Sequence, residues 1–179
     1  MVYGSKASSF IKSQERDSIY FINKFYVAFI YDNVGKSDQF KNIMLEVVEE
    51  ATKENDSVNL ARAYSYIGEY YSGRMVMDSA VMNFQQAEKI FFKLKDNLGV
   101  GRMQVKMSLS KYKVRDYLGS EKSAVAALTY IRLENNKLLE YEAYNLLGIT
   151  CIEIKDYDKA KEYFERALSI ADKEKLEDL

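Results

Sequence analysis

The chain contains no histidine, no proline and no tryptophan, a single cysteine, and only eight glycines in 179 residues. Each shortage excludes something. Without an imidazole there is no Ser-His-Asp triad, no histidine general base and no histidine-ligated metal. One cysteine, Cys151, makes neither an intrachain disulfide nor a cysteine-rich zinc site. Absent proline and scarce glycine argue against a turn-rich β fold and for long uninterrupted helices. The charge is almost balanced, 26 basic against 27 acidic residues, which gives no overall attraction to nucleic acid. Long apolar runs are missing too. The most apolar stretch, Ser18 to Tyr31, is interrupted by Asn23 and Lys24 and falls short of the roughly 20 residues that span a bilayer. Met1 to Arg16 carries no apolar secretory segment. These absences predict a cytoplasmic protein with no catalytic residues, cofactor, metal, nucleic-acid partner or membrane partner.

What is present is repetition. Tyr64, Ile67, Gly68 and Tyr71, followed by Ala80, Phe84 and Ala87, align without gaps with Tyr144, Leu147, Gly148 and Cys151, followed by Ala160, Phe164 and Ala167. The offset is 80 residues, which is twice 40. A unit midway carries Met107 and Ser108, then Ser120, Ala124 and Ala127. An earlier one carries Val27, Ala28 and Tyr31, then Phe40, Met44 and Val47. Four units of 40 residues fill positions 18–177 as 18–57, 58–97, 98–137 and 138–177, after an N-terminal extension at 1–17.

Each unit reads as two helices. In the last, Leu139, Ala143, Leu146, Leu147 and Ile154 mark one apolar face at helical spacing, and Tyr157, Ala160, Phe164, Ala167, Leu168 and Ala171 mark a second. Turns are expected at Asn33 to Asp38, Gly73 to Asp78, Asp116 to Gly119 and Lys155 to Asp158. Polar joints between units fall at Glu54 to Ser57, Lys95 to Gly99 and Glu134 to Lys137. Asp38, Asp78 and Asp158 are predicted to cap second helices. Gly68, Gly148, Ala80 and Ala160 recur where two helices must approach closely, with Phe84 and Phe164 filling the space beside them. One such unit buries too little to stand alone, so stability must come from neighbouring units.

This pattern resembles the tetratricopeptide repeat family. Tyr64, Ile67, Gly68, Tyr71, Ala80, Phe84 and Ala87 carry its full motif, and the 144–167 set carries it with Cys151 in place of tyrosine. The family's usual period is about 34 residues, so this chain looks like a longer-period subclass. The resemblance implies an all-α, right-handed superhelical solenoid of antiparallel helix pairs. It further implies an inner groove lined by first helices that binds protein or peptide and catalyses nothing. Carried over position by position, the groove residues are Ile22, Phe25 and Phe29, then Arg62, Ser65 and Glu69. They continue with Arg102, Val105, Leu109, Tyr112 and Lys113, then Asn145, Ile149 and Ile152, with Asn33, Ser72, Glu142 and Glu153 at the margins. Only Asn145 fits the family's lysine and asparagine clamp for a terminal carboxylate, which argues against chaperone-tail binding.

Two readings of the apolar groove stay open: a seat for an amphipathic helix, or a surface filled by the protein's own N-terminal residues. The basic run Arg102, Lys106, Lys111, Lys113 and Arg115 reads as a solvated face before it reads as an anion patch. Cys151 reads as a small packed hydrophobe. Glu49-Glu50 and Glu162-Glu165 read as solvated helix surface, and Met75, Met77 and Met82 as gap fillers. Two classes of function follow: an adaptor for a protein or peptide partner, or the sensory or dimerisation module of a larger bacterial signalling protein. A final expectation concerns the last helix. Tyr157 and Leu168 have no following helix to cover them, which predicts a continuing natural chain or a homodimer through an end unit.

Overall fold

The computed structural model describes residues 18–174. The expected N-terminal extension lies outside the described residues. Among them are eight α-helices, one short 3-10 turn and no strand. The helices are α1 (Ser18–Asn33), α2 (Ser37–Lys53), α3 (Ser57–Gly73), α4 (Met77–Lys93), α5 (Asn97–Lys113), α6 (Tyr117–Ile131), α7 (Lys137–Glu153) and α8 (Tyr157–Glu174). The 3-10 turn, Arg132–Glu134, extends the end of α6.

The helices are joined by one repeated device. Gly35, Asn55, Met75, Lys95, Arg115, Asn135 and Lys155 all have positive φ, between 50° and 76°, and they fall 20 residues apart without exception. Each ends a helix in the left-handed conformation. The amide of the residue after it reaches back to the helix, as in Asp56 N–H to the Ala51 carbonyl (2.8 Å), Asp96 to Phe91 (3.0 Å) and Asp156 to Cys151 (2.9 Å). The left-handed residue itself bonds one turn back, as in Arg115 N–H to the Tyr112 carbonyl at 2.9 Å. This pair of bonds is the Schellman arrangement, which satisfies carbonyls the helix leaves unpaired.

The residue that closes one helix also opens the next. The side chain of Asp96 accepts from Gly99 N–H (2.8 Å), Asp116 from Gly119 N–H (2.9 Å), Asn136 from Leu139 N–H (2.9 Å) and Asp156 from Lys159 N–H (3.3 Å). Each such cap contributes roughly 1 kcal/mol. The expected caps Asp38, Asp78 and Asp158 are therefore corrected: all three sit inside the first helical turn. The capping position lies two residues earlier, at Lys36 and Val76, which make no side-chain cap bond, and at Asp156. The turn expected at Asp116 to Gly119 is likewise already the start of α6. Gly119 is small for a local reason: a Cβ there would lie 2.0 Å from the capping Asp116 carboxylate.

The chain divides into two compact units, Met1–Ala63 and Tyr64–Leu179. In the first, α1 packs on α2 through Phe21, Phe25, Ala28, Phe40, Met44 and Val47, all buried. Lys24 lies on the same pair, 3.1 Å from Glu46 and 2.8 Å from Glu50, and the Tyr20 hydroxyl donates to Glu50 at 3.0 Å. Burial alone would depress the Lys24 ammonium, but the two carboxylates hold it above its usual range.

In the second unit each helix from α4 to α8 packs on the next, and α5 also meets α7. One core there joins Ala124, Ala127, Leu128 and Ile131 of α6 to Leu139, Ala143, Tyr144 and Leu147 of α7 and Ala167 of α8. The small residues are small because of what faces them. A Cβ on Gly68 would stand 2.4 Å from the Phe84 ring, and one on Gly148 would stand 2.6 Å from the Phe164 ring. Full burial of a phenylalanine contributes on the order of 2–3 kcal/mol, which is available here only because glycine admits the ring.

Candidate functional site

The third helix pair departs from its neighbours in the core. Ser108 stands where Gly68 and Gly148 stand, and Ala124 replaces Phe84 and Phe164. The room left by the missing ring holds hydroxyls. Ser108 Oγ donates to the Ser120 carbonyl (2.8 Å) and lies 3.0 Å from Ser120 Oγ, which lies 3.2 Å from Thr150 Oγ1. Thr150 donates in turn to the Leu146 carbonyl at 2.6 Å. All three hydroxyl residues are fully buried, so α5, α6 and α7 share one internally satisfied polar thread. It fixes α5 against α7, the two helices that carry the densest set of expected groove residues.

On those helices the expected residues separate by exposure. Arg102, Leu109 and Lys113 are exposed on α5, with Val105 and Tyr112 half-buried. Ile152, Glu142 and Glu153 are exposed on α7, with Asn145 and Ile149 half-buried. Leu109 and Ile152 keep 40% and 45% of their surface, which is high for large aliphatics. Val105 packs one side on the α6–α8 core. One end of the seam between α5 and α7 opens into a cleft of about 310 Å³ lined by Arg102, Val105, Lys106, Asn136, Leu138, Leu139 and Glu142. At the other end the Tyr112 hydroxyl donates to Glu153 at 3.4 Å. Burial and the Glu153 carboxylate raise the Tyr112 pKa, so its proton stays available to that bond at neutral pH.

The other expected groove residues fall elsewhere. Phe25 and Ser65 are buried, at 6% and 7% exposure, and offer no binding surface. Phe25 shares a helical stripe with Phe21 and Ala28, and that stripe is the face α1 turns to α2. Ile22 and Arg62 are exposed in the first unit, and Phe29 leans on Phe40 with ring centroids 5.8 Å apart. Glu69 is exposed and pairs with Lys106 at 2.7 Å. Lys111 is engaged as well, donating to Ser123 at 2.8 Å, a contact made possible by the small residues of α6. The basic run thus resolves into two engaged lysines and three exposed cations, Arg102, Lys113 and Arg115, of which Arg102 lines the cleft.

No catalytic constellation emerges from the remaining reactive groups among the described residues. Cys151 is completely buried; burial, then the charges of Glu121 and Asp156, push its thiol pKa up, away from the nucleophilic thiolate. Met77 is buried, while Met75 and Met82 are exposed; Met77 and Met82 line a second cleft of about 270 Å³ with Val81 and Val114. No group of His, Cys, Asp or Glu side chains able to hold a metal occurs among the described residues. No helix among them is long and apolar enough to cross a membrane.

Comparison with known proteins agrees with this architecture. Residues 141–174, which cover most of α7 and α8, match the family model of the tetratricopeptide repeat. No sequence among the curated proteins matches. Among solved structures, the chain resembles aspartyl phosphate phosphatase F from Bacillus subtilis with a TM-score of 0.81 and 18% identity, over 89% of this chain and 42% of that one. It resembles the apo form of RapI with a TM-score of 0.84 and 15% identity, over 96% of this chain and 62% of that one. A third likeness, at 0.78 and 19% identity, is to a signal transduction ATPase with a tetratricopeptide repeat sensor from Pyrococcus horikoshii, over 93% of this chain and 26% of that one. The chain therefore spans less than two thirds of each of these structures. With the helix-pair geometry, these findings show a tetratricopeptide repeat at residues 141–174 and an all-α, TPR-like solenoid fold for the chain.

Proposed function

We propose that the chain is a non-catalytic protein- or peptide-binding scaffold whose docking face is the seam between α5 and α7. The observation that carries this reading is the cluster of aliphatic side chains there. Leu109 and Ile152 are exposed, Val105 and Ile149 are half-open, and the helices beneath them are held by a buried polar thread. Isolated exposed aliphatics are ordinary, but a group of them on two adjoining rigid helices suits a partner's apolar stripe. The most economical partner is an amphipathic helix, which would present residues at i, i+3 and i+4 to this face.

A second reading is supported by the likeness to a repeat sensor within a much longer signalling ATPase. In that reading the same seam receives the signal for a larger bacterial, cytoplasmic protein. Both readings assign binding to α5 and α7, and they differ only in what the binding controls.

A displayed library of helical peptides selected on the protein tests the site. The selected sequences should carry an apolar i, i+3, i+4 stripe and lose binding when Leu109→Asp or Ile149→Asp is introduced. Selected peptides that tolerate both substitutions would place the binding face elsewhere. Thermal melts of the variants control for folding.

A further inference from the structure

The two sides of the seam carry opposite charge. On α5, Arg102 lines its cleft and Lys113, next to Tyr112, is exposed, while Lys106 and Lys111 are tied to Glu69 and Ser123. On α7, the matching positions 40 residues later are Glu142 and Glu153, both exposed. Opposite charges thus stand at equal register on adjacent helices, with the aliphatic side chains between them. They do not neutralise one another: among the described residues no ion pair joins Arg102 to Glu142 or Lys113 to Glu153. Glu153 instead receives tyrosine hydroxyls, from Tyr112 at 3.4 Å and from Tyr117.

We infer that the α5–α7 seam takes an amphipathic helix with one acidic and one basic edge, and that the charges of α5 and α7 fix the direction in which it lies. The inference rests on the docking face proposed above and adds the partner's chemistry. Arg102 and Lys113 are eleven residues apart, which along a helix is about 16 Å. Eleven residues also return to within about 20° of the same helical face. A partner helix of three turns therefore meets both cations with carboxylates at i and i+11 on one edge. It meets both carboxylates of α7 with lysines at i and i+11 on the other. Reversing such a helix while keeping its apolar face down exchanges its edges, so each edge would then meet charge of its own sign. Electrostatic complementarity of this kind sets register and orientation more than affinity.

The test uses the whole chain and synthetic 18-residue helices sharing one leucine face. One carries a glutamate edge and a lysine edge, a second has these edges exchanged, and two more have both edges acidic or both basic. The mixed-edge peptides should bind at least about 5-fold tighter than either uniform one at low salt, and the gap should shrink as salt screens the charges. A nitroxide on the peptide N-terminus should broaden resonances near Arg102 for one mixed peptide and near Lys113 for the edge-exchanged one. Arg102→Glu with Lys113→Glu should shift preference to the all-basic peptide. Uniform peptides binding as tightly as mixed ones, or both mixed peptides lying in one direction, would overturn the polarity while leaving the docking face intact. No binding by any of the four, with leucine-face binding absent as well, would overturn both.

Discussion

The second and fourth helix pairs and the third solve one packing problem in two ways. In the former, glycine on the first helix faces phenylalanine on the second, sixteen residues later: Gly68 with Phe84, Gly148 with Phe164. In the third pair the same two positions hold Ser108 and Ala124, both fully buried. One solution places all the volume on one side of the contact. The other uses two small residues and adds hydrogen bonds, since Ser108 reaches the Ser120 carbonyl at 2.8 Å. The positions of the left-handed turn residues are indifferent to the choice. What such a contact requires is that the space between the helices be filled and every polar atom satisfied, by the pair itself or by neighbours such as Ser120 and Thr150.

The strongest way to break this comparison is to overfill a glycine site. Gly148→Leu should lose about 3 kcal/mol or more, because even a bare Cβ meets the Phe164 ring at 2.6 Å. Ala160→Phe, on the facing helix, should also be severe. Cys151→Ala, which removes one buried sulfur, should be milder than either, and denaturant melts on the three variants would check the order. A melt in which Cys151→Ala is the worst would contradict the packing account.

A transplant sharpens it. Ala124→Phe alone should cost about 2–3 kcal/mol, because Ser108 now stands where the ring must go. Adding Ser108→Gly should recover part of that loss, so that the double variant is more stable than the sum of the two single changes by about 1 kcal/mol or more. Strict additivity in this double-mutant cycle would mean that the two positions do not share a contact.

Removing polarity should matter less. Ser120→Ala deletes the hydroxyl between Ser108 and Thr150, but both of those keep a carbonyl acceptor. The expected loss is about 1 kcal/mol, or roughly 2–4 °C in melting temperature for a chain of this size. A loss above about 3 kcal/mol would show that the thread acts as a unit.

The smallest effect runs the other way and applies to all pairs alike. Lys95 is exposed and sits at φ 58°, a conformation costing L residues about 1 kcal/mol that glycine does not incur. Lys95→Gly should therefore stabilise by about 0.5–1 kcal/mol after allowing for the freer unfolded chain. Asn135→Gly should gain less, because asparagine tolerates the left-handed region. Calorimetry that finds Lys95→Gly destabilising would argue against that backbone assignment.

How much of this was legible in the sequence follows the same physics. The 40-residue period showed itself through Gly68, Phe84, Gly148 and Phe164, since bulky and absent side chains leave a signature. The finer 20-residue period did not. Its left-handed positions hold Met75, Lys95, Arg115 and Lys155, which carry no turn signal, and two of its cap positions hold Lys36 and Val76. Caps were accordingly sought at Asp38, Asp78 and Asp158, acids that favour the first turn for electrostatic reasons without capping it. Groove positions transferred from one unit to the next fall on exposed or half-buried surface on α5 and α7. They failed at Phe25 and Ser65, where the same register faces a different amount of neighbouring side chain. Whether a lysine is free or engaged was not readable at all. Lys106 and Lys111 find partners on other helices, which leaves Arg102, Lys113 and Arg115 as the exposed cations of the run.

The residue that closes one helix while opening the next has a consequence for how this chain can change length. Between consecutive helices there is no slack to absorb a stray residue. Losing one position inside a helix would swing everything up to the next left-handed residue by about 100°, turning core side chains toward water. Gains and losses are tolerable in whole steps only. A step of 20 residues would exchange the roles of first and second helices along the rest of the array. A step of 40 leaves every later side chain facing the way it did before. The architecture can therefore lengthen or shorten by duplication and excision of pairs, and it resists nearly every other insertion or deletion.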